Sequence, residues 1–431
     1  MTSINLADRS LDLGEWARST PDAAEVFATA VRAWLDENLA GEFEHLKGRG
    51  GPGSEHEFFA ERLAWDRHLA RSGWTCLGWP TRHGGRGATL DQRIIFHQEY
   101  ARANAPARVN HLGEELLGPT LIEFGTQAQQ ERFLPGIVDV TELWAQGYSE
   151  PGAGSDLAGV STTATLDGDT WILNGQKVWT SLAHVAQWCF VICRTEKGSS
   201  RHKGLSFLLV PLDQPGVTVR PIQQLTGTSE FNEVFFDDAV TDADLIVGEP
   251  GDGWKVAMGL LQFERGVSTL GQQVGFEREL DNLTTIARRN GATDNPEIAS
   301  RLTRARIGLK VMRAHAQRTL AGDIVSGGGS ASGPFDAQAG SASVAKLLWA
   351  NWHRDLGELA MAVVGAPSLL GPAQTVEGVA NDITDPDNVE LDEWQRLFLF
   401  TRADTIYGGS NEVQRNIIAE RVLGLPREAR Q

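Results

Sequence analysis

Residues 146–159 read QGYSEPGAGSDLAG, a glycine-rich loop at the point where the chain changes from a helical to a β pattern. It is not a P-loop, because no Gly-Lys-Ser/Thr follows its glycines. It also lacks the Rossmann spacing, since Leu157 occupies the place of the third glycine. Small residues here would let a flat ligand lie against the backbone, with polar contacts from Tyr148, Ser149 and Ser155. The alternative is an ordinary Gly/Pro turn.

The segments on either side of this loop differ in hydrophobic period. Before it, stretches such as DAAEVFATAVRAWLDENLA (22–40) repeat apolar residues at helical spacing. After it, STTATLDGDTWILNGQKVWTS (161–181) alternates around an Asp-Gly-Asp turn, which predicts a β-hairpin. Short strands continue to about residue 249, and from GWKVAMGLL onward the helical period returns. A Gly/Ser-rich segment, 326–343, is predicted to be a loop between helices.

These patterns predict an α+β multidomain protein. The expected parts are an N-terminal α-helical domain (1–142), a central β domain (143–249) and a C-terminal α-helical domain (250–431). At 431 residues the chain is too long for a single hydrophobic core, which agrees with several domains.

Composition excludes several function classes. The 56 acidic residues exceed the 39 basic ones by 17, which argues against nucleic acid or an anionic membrane as the main partner. The three cysteines form no disulfide framework or zinc motif, so no metal is expected, and Cys189 and Cys193 are predicted to lie in a buried strand. We see no signal peptide and no apolar run long enough to span a membrane, and we expect a cytoplasmic protein.

The triplet Phe-Glu-Arg occurs twice, at 263–265 and 276–278, within a stretch predicted as one helix (253–289). The two glutamates are 13 positions apart, so they point about 220° apart around the helix axis and cannot face the same pocket. Glu277 has charged neighbours and is predicted to be solvated. Glu264 is bracketed by apolar residues, and it is either a surface ion-pair carboxylate or a partly desolvated base.

Two further stretches suggest ligand contacts. In NGQKVWTSLAH (174–184), Trp179 is predicted at a strand end, where an indole is either a core residue or the wall of a site for a ring-shaped cofactor. Near the C-terminus, IYGGSNEVQRNIIAERVLG (406–424) is a glycine turn that leads into a helix, capped by Asn411 or Ser410. Such a helix start can hold an anionic group, or it can be a plain capped helix.

In their order and spacing, these motifs resemble the acyl-CoA dehydrogenases over about residues 22–427. The resemblance rests on YSEPGAGSDLAG, NGQKVWTS, FNEVFFDDA, GEPGDGW and IYGGSNEVQRNIIAERVLG. It implies a central β-barrel or sandwich, a C-terminal four-helix bundle and FAD between these two parts. It also implies α,β-dehydrogenation of an acyl-CoA thioester to the trans-2-enoyl-CoA. In the family a glutamate removes the α-proton, flavin N5 takes the β-hydrogen as hydride, and an electron-transferring flavoprotein receives the electrons.

The resemblance also assigns roles to residues. Many members carry the base directly after the tyrosine of the C-terminal motif, but this chain has Tyr407-Gly408-Gly409 there. A minority, including isovaleryl-CoA dehydrogenase, place it before an arginine on the helix that opens the C-terminal domain, which corresponds to Glu264. Glu277 is then an ion-pair residue. The implied cofactor contacts are Tyr148, Ser149, Trp179, Thr180, Ser181, Ser410 and Glu412, and the implied substrate contacts are Ser155, Arg265 and Gly409.

Two departures from the family pattern keep alternatives open. RRNGATDNPEIASR (288–301) and MAVVGAPSLLG (361–371) replace segments that usually help to bind FAD. A homodimer or homotetramer is expected. A non-catalytic or half-site partner subunit of a heteromeric enzyme is one alternative, and a fold relative acting on carrier-protein thioesters, or as a flavin oxidase or hydroxylase, is another. The basic residues of SSRHKG (199–204) could contact coenzyme A phosphates or simply form a solvated hairpin tip.

Overall fold

The computed structural model describes residue 6 and residues 8–263, 268–326, 337–369 and 391–426. The chain divides into two compact units, which are Met1–Gln224 with Thr228–Val267 and Leu225–Gly227 with Ser268–Gln431.

The first unit begins with helices that pack around tryptophans. The spacing of Phe27, Val31, Trp34 and Leu35 predicts one apolar face on the second helix. Three of the four are buried there in a cluster with Trp65 and Trp74, and Trp34 is partly buried against it. Capping boxes begin two of the helices, at Thr89 and Thr126, each with a glutamine three residues later. The helices are α1 (Leu13–Ser19), α2 (Ala23–Asn38), α3 (Phe59–Arg71), α4 (Leu90–Arg102), α5 (Gly118–Phe124) and α6 (Gln127–Val138).

A seven-stranded sheet follows, with the order β1-β4-β2-β3-β7-β6 and with β5 paired to β4. β1 runs parallel to β4, whereas β2–β3, β3–β7, β4–β5 and β6–β7 are antiparallel pairs. The strands are β1 (Trp144–Gly147), β2 (Thr163–Asp167), β3 (Thr170–Ser181), β4 (Trp188–Arg194), β5 (Leu205–Pro211), β6 (Val217–Ile222) and β7 (Phe231–Asp242).

Two predictions about individual strands are confirmed. Asp167 pairs with Thr170 across a two-residue turn in which Gly168 has a φ of 61°, so the Asp-Gly-Asp stretch forms a hairpin between β2 and β3. Cys189 and Cys193 lie in β4 with no solvent exposure, and burial raises the pKa of each thiol to about 12. Both are therefore packing residues.

Helix α7 (Gly253–Phe263) completes the first unit and packs against β5. Its residues Val256 and Leu260 are fully buried in the same core cluster as Leu116 and Leu117. Positions 264–267 lie outside the described residues, between α7 and α8 (Ser268–Arg289), so the prediction of one continuous helix from 253 to 289 is not tested there.

The second unit is helical, and α10 is its central helix. It contacts α8, α9, α11 and α12. The prediction of a loop over 326–343 is wrong at its C-terminal end. Helix α10 begins at Ala337, and Ser343 is buried in that helix. The small residues of this stretch allow close helix packing; Gly340, for example, faces Val422. The helices are α8 (Ser268–Arg289), α9 (Pro296–Ser326), α10 (Ala337–Val364), α11 (Glu393–Asp404) and α12 (Asn411–Ile417).

The predicted fold class is confirmed, with helices, then a sheet, then helices. The predicted domain limits, 142/143 and 249/250, stay predictions. Within the described ranges, none of the helices combines the length and the apolarity that crossing a membrane requires.

Candidate active site

A buried ion pair holds the start of the glycine-rich loop against β3. Lys177 is fully buried, and its Nζ lies 2.7 Å from Glu150 Oε1 and donates to the carbonyl of Tyr148 at 3.1 Å. Glu150 also accepts hydrogen bonds from Ser161 and Thr162. Burial would raise the pKa of Glu150, but the Lys177 charge and these hydrogen bonds outweigh it and lower the pKa to about 2.

The loop and the end of β3 are thereby brought together. The Val178 amide donates to the Ser149 carbonyl at 2.9 Å. The Tyr148 side chain is buried, with its ring edge-on to Phe190 and Phe207. Ser149 is half-buried next to it.

Trp179 occupies an unusual backbone conformation beside this loop. The pairing register of β3 with β7 shifts between Lys177 and Thr180, so Trp179 lies in a β-bulge. Its φ is 61°, in the left-handed region that bulky residues rarely adopt, and the side chain is 57% exposed. Only the edge-on ring of Phe231, with centroids 6.3 Å apart, accompanies it among described aromatic contacts. A strained backbone that exposes a large indole indicates a binding surface.

Polar groups next to this indole are left without partners. The Thr180 hydroxyl is buried and has no hydrogen-bond partner among the described residues, and the same is true of Asn232 Oδ1. Asn232 Nδ2 donates to the Thr180 carbonyl at 3.1 Å and lies 3.2 Å from His184 Nδ1. Ser181, half-buried, ends the strand. Buried polar groups normally pair, so this cluster fits a ligand that combines a flat ring with hydrogen-bonding groups.

Beyond Glu150 the glycine-rich loop is largely exposed, although Ala153 and Ala158 are buried. Ser155 is exposed, and a Cβ built on Gly152 or Gly154 would meet no atom within 4 Å. The basic hairpin tip lies close by, since Arg201 Nη1 is 3.8 Å from the Asp156 carboxylate. His202 packs its ring on Trp254 at 4.2 Å.

The second unit contains the glycine turn before α12. Ser410 caps this helix through a hydrogen bond from the Val413 amide to its Oγ, so Asn411 is not the cap, because it already lies inside the helix. Gln414 does not complete a capping box; its Nε2 donates instead to the carbonyls of Gly408 and Gly409.

Three predicted site residues therefore lie on or beside this turn. Gly409 has a φ of 85°, in the left-handed region that favours glycine. Ser410 is engaged by the cap. Glu412 is exposed and lies 3.4 Å from Arg415 of the next turn. Glu264 and Arg265 lie outside the described residues.

The second Phe-Glu-Arg copy, 276–278, lies within the described residues, where Phe276 packs in the core and Glu277 forms an ion pair. Glu277 lies 3.1 Å from Arg313 of α9 with both side chains partly exposed, which confirms the ion-pair prediction. Phe276 is buried, with its ring 4.4 Å from that of His353. His353 itself lies between Glu279 and Asp404, a cluster that the sequence analysis missed, because no motif links positions so far apart in the chain.

Sequence models of protein families match along almost the entire chain. They are "Acyl-CoA dehydrogenase, N-terminal domain" over residues 21–141, "Acyl-CoA dehydrogenase, middle domain" over 145–239 and "Acyl-CoA dehydrogenase, C-terminal domain" over 251–423. The chain belongs to the acyl-CoA dehydrogenase family. The family resemblance and the prediction of an acyl-CoA dehydrogenase enzyme are thus confirmed.

Individual acyl-CoA dehydrogenases are similar along nearly their full length. IpdE1 of Mycobacterium tuberculosis (strain ATCC 25618 / H37Rv) is 66% identical over 406 residues, which cover 94% of this chain and 99% of the relative. IpdE1 of Mycolicibacterium smegmatis is 63% identical over 414 residues, which cover 94% and 98%.

Solved structures share the fold of this dehydrogenase. The steroid ACAD Tcur3481-Tcur3483 has a TM-score of 0.77 and 28% identity, covering 95% of this chain and 99% of that one. The ChsE4-ChsE5 complex from Mycobacterium tuberculosis has a TM-score of 0.74 and 28% identity, with the same coverage.

Proposed function

We propose that this acyl-CoA dehydrogenase binds FAD and converts an acyl-CoA thioester to its trans-2-enoyl-CoA. The observation that carries the proposal is the strained, exposed Trp179 beside the unpaired Thr180 hydroxyl. We infer that the isoalloxazine ring lies against this surface, with contacts from Tyr148, Ser149, Trp179, Thr180 and Ser181. On the family resemblance, Ser410 and Glu412 are also proposed as cofactor contacts. Bound FAD would supply the acceptor for the β-hydrogen.

The chain itself must remove a weakly acidic α-proton. A thioester α-proton is released only when a base is positioned beside it and the developing enolate oxygen is stabilised. The turn that carries the base in many relatives has glycines at 408 and 409 here, so it offers no carboxylate. Glu264 is therefore proposed as the base, with Arg265, Ser155 and Gly409 as contacts of the acyl-CoA. Electrons would then pass to an electron-transferring flavoprotein.

The similarity to a steroid ACAD favours a bulky, ring-bearing acyl group over a short straight chain. The first test is a visible spectrum of the purified protein, recorded anaerobically before and after each of a panel of acyl-CoAs. We expect a yellow protein that bleaches with a ring-bearing acyl-CoA. Bleaching only with straight-chain thioesters would contradict the substrate class, and bleaching only with carrier-protein thioesters would favour that alternative.

The role of Glu264 has a matched control in the second triplet. Glu264→Gln should keep bound FAD and lose substrate-dependent flavin reduction by at least about 100-fold, because a neutral amide cannot accept the proton. Glu277→Gln removes only the partly exposed pair with Arg313, and its rate should stay within about two-fold of wild type. Stopped-flow spectroscopy measures both. Equal rates in Glu264→Gln and wild type would show that Glu264 is not the base.

A half-site subunit of a heteromeric dehydrogenase is the second candidate. Two of the similar solved structures have paired names, Tcur3481-Tcur3483 and ChsE4-ChsE5. The segments at 288–301 and 361–371 also depart from the family pattern for FAD binding. FAD content of the chain expressed alone discriminates between the two. A colourless protein that takes up FAD only with a second acyl-CoA dehydrogenase chain would favour the half-site subunit over a homo-oligomer.

A further inference from the structure

One histidine joins three helices of the second unit. His353 lies on α10, and its Nδ1 is 2.7 Å from Asp404 Oδ2 at the end of α11. Its Nε2 is 3.0 Å from Glu279 Oε2 on α8. The imidazole is largely buried, with 12% of the side chain exposed, and the ring of Phe276 packs 4.4 Å from it.

The geometry determines the protonation state of this ring. Carboxylates accept hydrogen bonds, and a neutral imidazole has a single N–H to donate. Because both ring nitrogens face carboxylate oxygens, only the imidazolium satisfies both contacts. Burial lowers the pKa of His353, but Glu279 and Asp404 together outweigh it and raise the pKa to about 9.

The other oxygen of Asp404 continues the network to the glycine turn. The Tyr407 hydroxyl donates to Asp404 Oδ1 at 2.8 Å. The Asp404 backbone carbonyl accepts from Lys346 Nζ at 2.7 Å, and this ammonium lies 4.0 Å from the ring centroid of Trp349 and 4.4 Å from that of Tyr407. Asp404 is almost fully buried, so its carboxylate needs the hydrogen bonds from His353 and Tyr407.

Gly408 and Gly409, the two residues after Tyr407, have no side chains that could fix the turn, so groups on either side must hold it. Their φ values are 61° and 85°. Gln414 supports their carbonyls from the C-terminal side. Tyr407 is the first side chain on the N-terminal side, and it is attached through Asp404 to His353.

We propose that His353 is a positioning residue for the turn Tyr407–Gly408–Gly409, acting as an imidazolium that orients Asp404 and, through it, Tyr407. Its importance for the reaction rests on the proposed function, in which this turn contacts substrate and cofactor. The charged groups around it are Glu279 on α8 and Asp404 on α11. The next charged groups are Arg278 and Glu393, which lie near Glu279, and Lys346 of α10, which donates to the Asp404 carbonyl.

The first test needs no cofactor and no substrate. The chain contains only three tyrosines, so apoprotein labelled with ¹³C at Tyr Cζ gives a signal for Tyr407 that Tyr407→Phe identifies. In apoprotein labelled at His Cε1, His353→Gln identifies the His353 signal. We expect that signal to titrate near pH 9 and the Tyr407 signal to shift over the same range. In His353→Gln the Tyr407 signal should not respond in that range. Either of two results would overturn the proposal: a His353 signal that titrates below pH 7, or a Tyr407 signal that does not shift when His353 titrates.

The second test uses the holoenzyme and asks whether the turn matters for the reaction. Misplacing a contact by about 1 Å can lower a rate up to about 100-fold, so we expect flavin reduction in His353→Gln to be about 10- to 100-fold slower than in wild type. The wild-type rate should fall above pH 9, and this limb should be absent in the variant. Tyr407→Phe removes only the hydroxyl that donates to Asp404, so its rate of flavin reduction should lie between those of wild type and His353→Gln.

His315→Gln is the matched control. His315 lies on α9, and the described contacts of its ring are the Ser341 carbonyl and hydroxyl and the Arg318 guanidinium, none of which belongs to the network of Asp404. It should keep the wild-type rate and pH profile. If His353→Gln and Tyr407→Phe also keep them, the positioning role is refuted. If wild type itself reduces no flavin with any acyl-CoA, the proposed function fails, while the apoprotein titration still decides whether His353 orients Tyr407.

Discussion

Lys177 is fully buried, and Glu150 is the acidic partner of its ammonium in the described structure. Removing one partner of a buried pair leaves the other charge without compensation, which costs far more than the pair itself contributes. The pair also holds Tyr148 against β3, because Lys177 donates to the Tyr148 carbonyl. A residue with no chemical role thus positions a proposed cofactor contact.

We expect Lys177→Met to lower the free energy of unfolding by about 3–5 kcal/mol, since Glu150 would stay buried with only the donors of Ser161 and Thr162. Denaturant unfolding measures the change. Lys203→Met at the exposed hairpin tip is the control and should stay within about 0.5 kcal/mol of wild type. A loss below about 1 kcal/mol in Lys177→Met would mean that water or a rearranged partner reaches Glu150.

The same pair gives a pH dependence of defined sign. The pKa of Glu150 falls from its ordinary 4.5 to about 2 in the folded chain, so the folded state binds fewer protons than the unfolded state between these values. The stability from this group is therefore present above pH 4.5 and is lost as the pH falls toward 2. Glu150→Gln should show a shallower loss of stability over this window when unfolding is followed at several pH values. A slope as steep as that of wild type would refute the assignment.

At the scale of elements, two irregularities in β3 shape the surface proposed to hold the cofactor. Its register shifts at Gly175 and again before Thr180, and the second shift produces the bulge at Trp179. Gly175 has a φ of 150°, and a Cβ there would lie 2.7 Å from the Thr162 Cα. The first irregularity therefore requires glycine, and it precedes the segment that presents the indole.

We expect Gly175→Ala to cost about 1–3 kcal/mol of unfolding free energy, because neither the backbone angle nor the space suits a methyl group. Gly275→Ala is a control of opposite sign. It lies inside α8, where a Cβ meets no atom within 4 Å, so alanine should stabilise by about 0.5–1 kcal/mol. Thermal unfolding of both variants measures these effects. A neutral Gly175→Ala would show that β3 tolerates a shifted register.

At the scale of the whole molecule, the formal net charge is −17. Self-repulsion of so many like charges opposes the compact state, and salt screens it within a distance of about 10 Å at 0.1 M. We expect the melting temperature to rise by about 1–3 °C when the salt concentration increases from about 20 to about 200 mM. Sodium chloride and choline chloride should act alike. A falling melting temperature would mean that attractive ion pairs dominate over the net repulsion.

The sequence alone determined the order of helices, sheet and helices, because hydrophobic period follows directly from which face of an element is buried. The motifs then indicated the family and the proposed cofactor contacts at the end of β3. The Asp-Gly-Asp hairpin and the buried Cys189 and Cys193 were predictable for the same local reason. The charged neighbours of Glu277 predicted a solvated side chain and the resemblance predicted an ion pair, but its partner Arg313 could not be predicted.

Only the tertiary structure decided how distant residues combine. The left-handed Trp179 depends on pairing between β3 and β7, and the unpaired Thr180 hydroxyl becomes visible only when every neighbour is in place. Ser410, rather than Asn411, caps α12, because the glycine turn determines where the helix begins. Glu279, His353 and Asp404 meet although up to 125 positions separate them, since three helices pack side by side. Local pattern encodes burial, whereas these contacts arise from packing between elements, which no short stretch of sequence contains.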